Sequence, residues 1–226
     1  MARKIPWRKK WLRVGVISAP TGLSYLQQSS LPCELVEIRL DYFSLTLSQI
    51  DQLKKQLRTR KHPVLLTLRS PREGGQKKLT PKQRETLLFD FLPFIDALDL
   101  EYLEIHHFSK LLKKLKREKV ALILSSHFFQ KTPTFSQLKN QFHKMQKESA
   151  AIYKVAARCD TTPQLFTLLQ TQLQFANKSV ACMGMGKLAH LSRQLLPLLG
   201  AKLVYGYLDS PTAPGQPAVK TFKPAH

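Results

Sequence analysis

The chain has 226 residues, enough for one domain with a substantial core, and its 43% hydrophobic and 23% charged content is that of a globular protein. Its net charge of +21 and pI near 10.1 point toward a polyanion or an anionic substrate. Against the first, the basic residues are spread along helix faces such as Lys110, Lys113, Lys114, Lys116 and Arg117, with no zinc finger, RNA-recognition signature or glycine-rich phosphate loop. No apolar run has membrane-spanning length, and the three isolated cysteines Cys33, Cys159 and Cys182 suggest neither a disulfide framework nor a zinc site but a reduced, cytoplasmic setting.

Residues 1–11 carry Arg3, Lys4, Arg8, Lys9 and Lys10 with no apolar core behind them, and read as a basic extension. Residues 12–19 form a first apolar strand, followed by a short segment over 21–31. Residues 34–43 form a second, alternating strand, with Val36, Ile38 and Leu40 on one face and Glu37, Arg39 and Asp41 on the other. A helix with Ile50, Leu53 and Leu57 at helical spacing leads to a third strand over 62–70 that ends in Arg69. The loop from Pro71 to Gln76 precedes Thr80-Pro81, a helix start with proline at its first position.

The alternation continues with strands over 97–105, 120–126, 150–157, 179–184 and 202–208, separated by helices over 109–119, 135–148, 162–176 and 187–199. Strand starts 22 to 35 residues apart are what successive βα units require. Short connections favour right-handed units, and eight of them predict a single-domain α/β protein, a (β/α)8 barrel. A doubly wound sheet would call for a glycine fingerprint after the first strand, and Ser18-Ala19-Pro20-Thr21-Gly22 is not one. The barrel is lean against a typical length of about 250 residues. Residues 217–226 read as an irregular tail with two prolines where a last helix would lie. The expectation is a barrel without that helix, or the front part of a longer polypeptide.

In the strand Ala150–Ala157 every side chain is small or apolar except Tyr153 and Lys154. Burying an unpaired ammonium is costly, an apolar setting favours the neutral amine, and a neutral amine is a nucleophile. In a barrel the active site lies at the carboxyl ends of the strands. There the unusual residues collect: Glu37, Arg39, Arg69, Glu73, His127, Lys154 and Met183. Singly, each has an ordinary explanation, such as a snorkelling lysine, a satisfied core histidine or a strand's solvent face. Together they fit a lysine that condenses with an anionic ketone, a histidine that moves protons and arginines that bind a carboxylate. This chemistry leaves an aldolase and a dehydratase both open.

The ordered set Glu37-Ile38-Arg39-Leu40-Asp41, Thr67-Leu68-Arg69-Ser70 with Glu73-Gly74-Gly75, Ser125-Ser126-His127, Lys154-Val155-Ala156, Met183-Gly184 with Ser192-Arg193, and Thr212-Ala213-Pro214-Gly215-Gln216 resembles type I 3-dehydroquinate dehydratase over residues 34–216. The resemblance implies a (β/α)8 enzyme of the shikimate pathway that dehydrates 3-dehydroquinate to 3-dehydroshikimate through an imine, with no metal or organic cofactor. It implies Lys154 as the imine-forming lysine, His127 as general base and acid, and Glu73 as the carboxylate that orients and charges the histidine. Glu37, Arg39 and Arg69 would hold hydroxyls and the local charge network. Arg193, Thr212 and Gln216 would hold the carboxylate, Met183 would pack on the ring, and the loop 212–216 would be a lid.

Two positions depart from the family pattern, Phe128 where an acidic residue is usual and Thr212 where serine is. The resemblance leaves a fused or separate shikimate dehydrogenase domain and a homodimer open as partners. An aldolase acting on another anionic ketone would need a phosphate site near strands seven and eight, and Met183 to Lys187 is not a glycine-rich loop. A nucleic-acid-binding protein on an inactive barrel is the alternative of a different class, and it rests on net charge alone.

Overall fold

The computed structural model describes residues 4–176, 178–213 and 215–223. Eight parallel strands form one sheet: β1 (Leu12–Ile17), β2 (Leu35–Arg39), β3 (Val64–Thr67), β4 (Ala97–Glu101), β5 (Ala121–Phe128), β6 (Ile152–Arg158), β7 (Val180–Met185) and β8 (Leu203–Tyr207). The order β7-β6-β5-β4-β3-β2-β1-β8 brings the chain round so that β1 pairs with both β2 and β8. Among the described residues six α-helices pack outside: α1 (Leu47–Arg58), α2 (Pro81–Phe91), α3 (Ser109–Glu118), α4 (Phe135–Met145), α5 (Thr162–Gln174) and α6 (Ala189–Leu195). The segment after β1 is a 3₁₀ helix, Pro20–Gln27, opened by its proline.

Local chemistry sets the helix starts. Thr80 with Gln83, Thr134 with Gln137 and Thr161 with Gln164 each form a capping box, which satisfies amide groups at a helix start that otherwise lack partners. Several strands are shorter than the sequence predicts, β2, β3 and β4 most of all. β2 ends at Arg39 because Asp41 turns inward to accept both Arg39 and the amides of Arg69 and Gln76. β4 ends at Glu101 and continues as a 3₁₀ stretch, Tyr102–Phe108.

Strand residues alternate between two cores. Val36, Ile38, Leu66, Leu98, Leu124, Val155 and Cys182 face the helices. Inside the barrel, Val14, Leu35, Leu65, Ala97, Ile123, Ile152, Ala181 and Leu203 form the apolar floor. The N-terminal segment is more than a basic extension, since buried Ile5 and half-buried Trp7 pack against this floor. Above the floor the inward positions become charged. Among the described residues the buried cations are Arg39, Arg60, Arg69, Arg84, Lys154 and Arg193, and the buried acids are Glu37, Asp41, Glu73, Asp96, Asp99, Glu101 and Glu104. These nearly cancel, so the chain's net charge of +21 lies on its exterior.

The barrel is nearly rather than fully closed, and the seam is between β7 and β8. Two amides of β7 are taken by helix side chains: Cys182 N–H donates to Gln172 Oε1 at 3.0 Å and Gly184 N–H to Ser192 Oγ at 3.0 Å. The amide of Lys202 donates to Val180 O at 2.9 Å across the seam. The tail described to Lys223 is not irregular throughout. A 3₁₀ turn, Val219–Thr221, lies against β8 and β1 with Val219 and Phe222 buried. Gly206 permits this close approach, for a Cβ there would stand 2.5 Å from Val219 Cα. No α-helix covers β8 among the described residues.

Candidate active site

Glu37, Arg39, Arg69, Glu73, His127, Lys154, Met183, Arg193, Thr212 and Gln216 all line one cavity of about 60 Å³ at the carboxyl ends of the strands. All ten positions singled out in the sequence thus come together, nine from six strands or the segments just after them and Arg193 from helix α6. Pro214, in the loop 212–216, lies outside the described residues. Thr212 N–H and Oγ1 donate to Gln216 Oε1 at 2.7 and 3.1 Å, which folds this loop on itself over the cavity.

Lys154 does not sit in apolar surroundings. Its Nζ donates to Asp99 Oδ2 at 2.7 Å and lies 4.6 Å from the centre of the Tyr205 ring. Asp99 Oδ1 pairs with Arg69 Nη1 at 3.0 Å and accepts from Ser125 Oγ at 2.6 Å. Burial alone would raise the Asp99 pKa, but Arg69 and Lys154 outweigh it and hold the group well below the usual carboxylate range. The Arg69 guanidinium also reaches Glu101 at 3.2 Å, and Glu101 accepts from Arg84 Nη2 at 2.5 Å. Arg84 comes from α2, is fully buried, and pairs onward with Glu104.

His127 and Glu73 form the second unit. Glu73 Oε2 accepts the backbone N–H of His127 at 3.0 Å and stands 2.7 Å from the ring Nδ1. A hydrogen on Nδ1 completes this arrangement and leaves Nε2 free to accept a proton. Burial pushes Glu73 up to about 8, helped by Glu101 and Asp99 and opposed by Arg69. Burial, with Arg69 and Lys154, holds His127 well below its ordinary value. Both shifts favour an uncharged imidazole beside Glu73 near neutral pH. Gly75 makes the turn that carries Glu73 possible, since a Cβ there would stand 1.9 Å from Arg69 O.

The remaining residues supply polar walls. Glu37 accepts from Thr67 Oγ1 at 2.6 Å, so β2's polar face is turned into the barrel rather than to solvent. Arg39 is held by both oxygens of Asp41 at 3.0 and 2.9 Å. Arg193 differs from the other buried arginines of the site. Its Nη1 donates to Gly184 O at 2.8 Å and Ala189 O at 3.1 Å, its Nε has no partner, and no carboxylate pairs with it among the described residues. Burial lowers it to about 10. A buried guanidinium without a counter-ion is a place for an incoming carboxylate. Among the described residues no group of three or more His, Cys, Asp or Glu side chains is set out to hold a metal ion.

Asp99, Glu101, Tyr205 and Phe129 were not singled out by sequence, and Ser125, though part of a matching motif, was given no role. A signal existed for the first two. Asp99 and Glu101 alternate with Leu98 and Leu100, the same inward charge pattern that drew attention to Glu37 and Arg39.

The type I 3-dehydroquinase family matches residues 19–225 of the chain. The chain is 29% identical over 222 residues to the 3-dehydroquinate dehydratase of Enterococcus faecalis, covering 92% of this chain and 88% of that protein. It is 32% identical over 195 residues to that of Methanococcoides burtonii, covering 85% of this chain and 83% of the relative. The solved structure of the E. faecalis protein superposes with a TM-score of 0.79 at 28% identity, over 88% of this chain and 89% of that one. With the barrel, the cavity and these matches in agreement, the chain belongs to the type I 3-dehydroquinase family.

Proposed function

We propose that the chain is a 3-dehydroquinate dehydratase that removes water from 3-dehydroquinate through an imine on Lys154. The observation that carries this reading is one small cavity lined by the Lys154 amine, an uncharged His127 and Arg193, which has no carboxylate partner among the described residues. The substrate carboxylate binds Arg193, with Gln216 and Thr212 closing over it, and its ketone meets Lys154. The amine adds to the carbonyl carbon and water leaves to form the imine. His127 Nε2 takes the C2 proton, and the electron pair moves into an enamine conjugated toward nitrogen. The imidazolium returns that proton to the C1 hydroxyl as it departs, and hydrolysis of the conjugated imine releases 3-dehydroshikimate. Asp99 acts as a positioning residue that fixes the amine, while Glu37, Arg39, Arg69 and Met183 shape the ring site.

Family membership selects dehydration over the carbon–carbon cleavage of an aldolase. No helix among the described residues is long and apolar enough to cross a membrane, and the three free, buried cysteines support a reducing, cytoplasmic setting. A homodimer is supported by α5, which has no charged residue in a chain of net charge +21 and exposes Phe166 and Leu173. From the resemblance we also carry a shikimate dehydrogenase domain, fused or separate, as a partner.

The test is to mix the protein with 3-dehydroquinate, reduce with borohydride and map the modified peptide. A stable adduct on Lys154, absent in Lys154→Ala, together with growth of enone absorbance in the unreduced reaction, is the expected result. A folded protein that yields neither overturns the reading.

A further inference from the structure

We propose that the groove between α4 and the loop after β5 is a second anion-binding site, for a small ring-bearing carboxylate. The groove has a volume of about 590 Å³, within the size range of small-molecule sites and far larger than the active-site cavity of about 60 Å³ beside it.

Its charge is one-sided. Arg72 from the turn after β3, Lys131 from the loop and Lys144 from α4 converge on it, and no aspartate or glutamate lines it. Exposed cations are common on this chain, so their number alone means little. Several of the others have acids, as Lys9 has Glu34, Lys54 has Asp90 and Arg158 has Asp160. Arg72, Lys131 and Lys144 have no such partner among the described residues. Three unpaired cations brought from separate elements to one concave surface make a field that attracts an anion and repels a cation.

The wall between them supplies the rest of the chemistry. Phe128 and Phe129 line the groove, and Phe129 is 40% exposed although it is a large apolar ring. A flat apolar ring laid on these side chains would cover them, while its carboxylate would reach the cations. The amides of Gln137 and Asn140 lie on the α4 side, and that of Gln137 is held in place by its capping box with Thr134 at the start of the helix. Lys154 and Arg193 do not line the groove, but His127 does, so the groove adjoins the active-site cavity at that residue.

Phe129 is the partition. Its ring packs on Gly74, where a Cβ would stand 2.5 Å from the ring edge, and stacks at 6.2 Å on His127. It lines both cavities. A ligand in the groove therefore meets both Phe129 and His127.

The test is photolabelling of the full chain with 4-azidobenzoate, followed by peptide mapping. Saturable labelling within residues 128–144 that is displaced by unlabelled benzoate is expected. The Lys131→Glu/Lys144→Glu variant should need about ten-fold more probe for half-maximal labelling, since both reversals put a like charge beside the carboxylate. Labelling confined to residues 183–216, labelling that does not saturate, or half-labelling unchanged by the charge reversals would each overturn the proposal. The experiment reads binding, so it stands apart from the dehydratase reading and can fail while that reading holds.

Discussion

Asp99 holds Lys154 and Arg69 at the same time, one through each carboxylate oxygen, at 2.7 and 3.0 Å. The pairing continues from Arg69 to Glu101, from Glu101 to Arg84 and from Arg84 to Glu104. Alternating charges thus run from the nucleophile to helix α2 with every member buried. A single buried ion pair adds little net stability, but removing one partner leaves an uncompensated charge. The chain of pairs is thus a device for holding the amine and the guanidinium in fixed positions rather than a source of stability.

Asp99→Asn should expose that role. The substitution keeps the shape and leaves Lys154 and Arg69 without their shared charge. Urea unfolding should show a loss of about 3–5 kcal/mol, and the rate of borohydride trapping should fall with it. A variant as stable as the parent would show that Glu101 suffices to hold Arg69.

The pH dependence of kcat/KM follows from His127. It must be uncharged to accept a proton, and its folded value lies well below 6.5. The acid limb of the profile should therefore fall below pH 6.5. A limb centred at or above that value would contradict the neutral imidazole. His127→Ala should lower kcat by about 10²–10⁴ at all pH values.

Glu73 should act on stability in the opposite sense to an ordinary carboxylate. Its folded value near 8 lies above the ordinary 4.5. The folded state therefore holds a proton that the unfolded chain has lost, and stability falls as pH rises through the window from about 4.5 to 8. Glu73→Gln removes this ionisation. At pH above 8 its melting temperature should exceed that of the parent by ~2–4 °C for each ~1 kcal/mol recovered, while kcat falls. Equal melting temperatures across the window would refute the shift.

Arg193→Gln separates binding from chemistry. The lost charge-assisted pair should raise KM for the ring carboxylate by roughly ten- to a hundred-fold, with the adduct on Lys154 still forming at saturating substrate. Stability should change little, because the loss of a buried charge with no protein counter-ion offsets the loss of its hydrogen bonds to Gly184 O and Ala189 O. A fall in kcat with KM unchanged would point away from a carboxylate-binding role.

Strand spacing and alternation made the barrel legible, because period-2 patterning over short apolar stretches reports burial directly. The candidate site was legible at Lys154, a cation in an apolar strand, and at Glu37 and Arg39, charges in strict alternation. Asp99 was not found, although its pattern is the same. Its importance depends on the register in which β3 pairs Thr67 with Asp99 and β5 pairs Ser125 with Lys154, and pairing across strands leaves no mark within any one of them. Tyr205 gave less signal still, since it reaches Lys154 only after β8 has closed round to β1.

The sequence by itself determined the eight strands, the end of the barrel where polar residues gather and the chemical types available there. Only the tertiary structure decided the charge state of that chemistry. Burial, with the charges of Arg69 and Lys154, keeps His127 neutral, and Asp99, from a strand two places along the sheet, holds the lysine. Both depend on distance and on exclusion of water, which arise when strands remote in the chain close into a barrel.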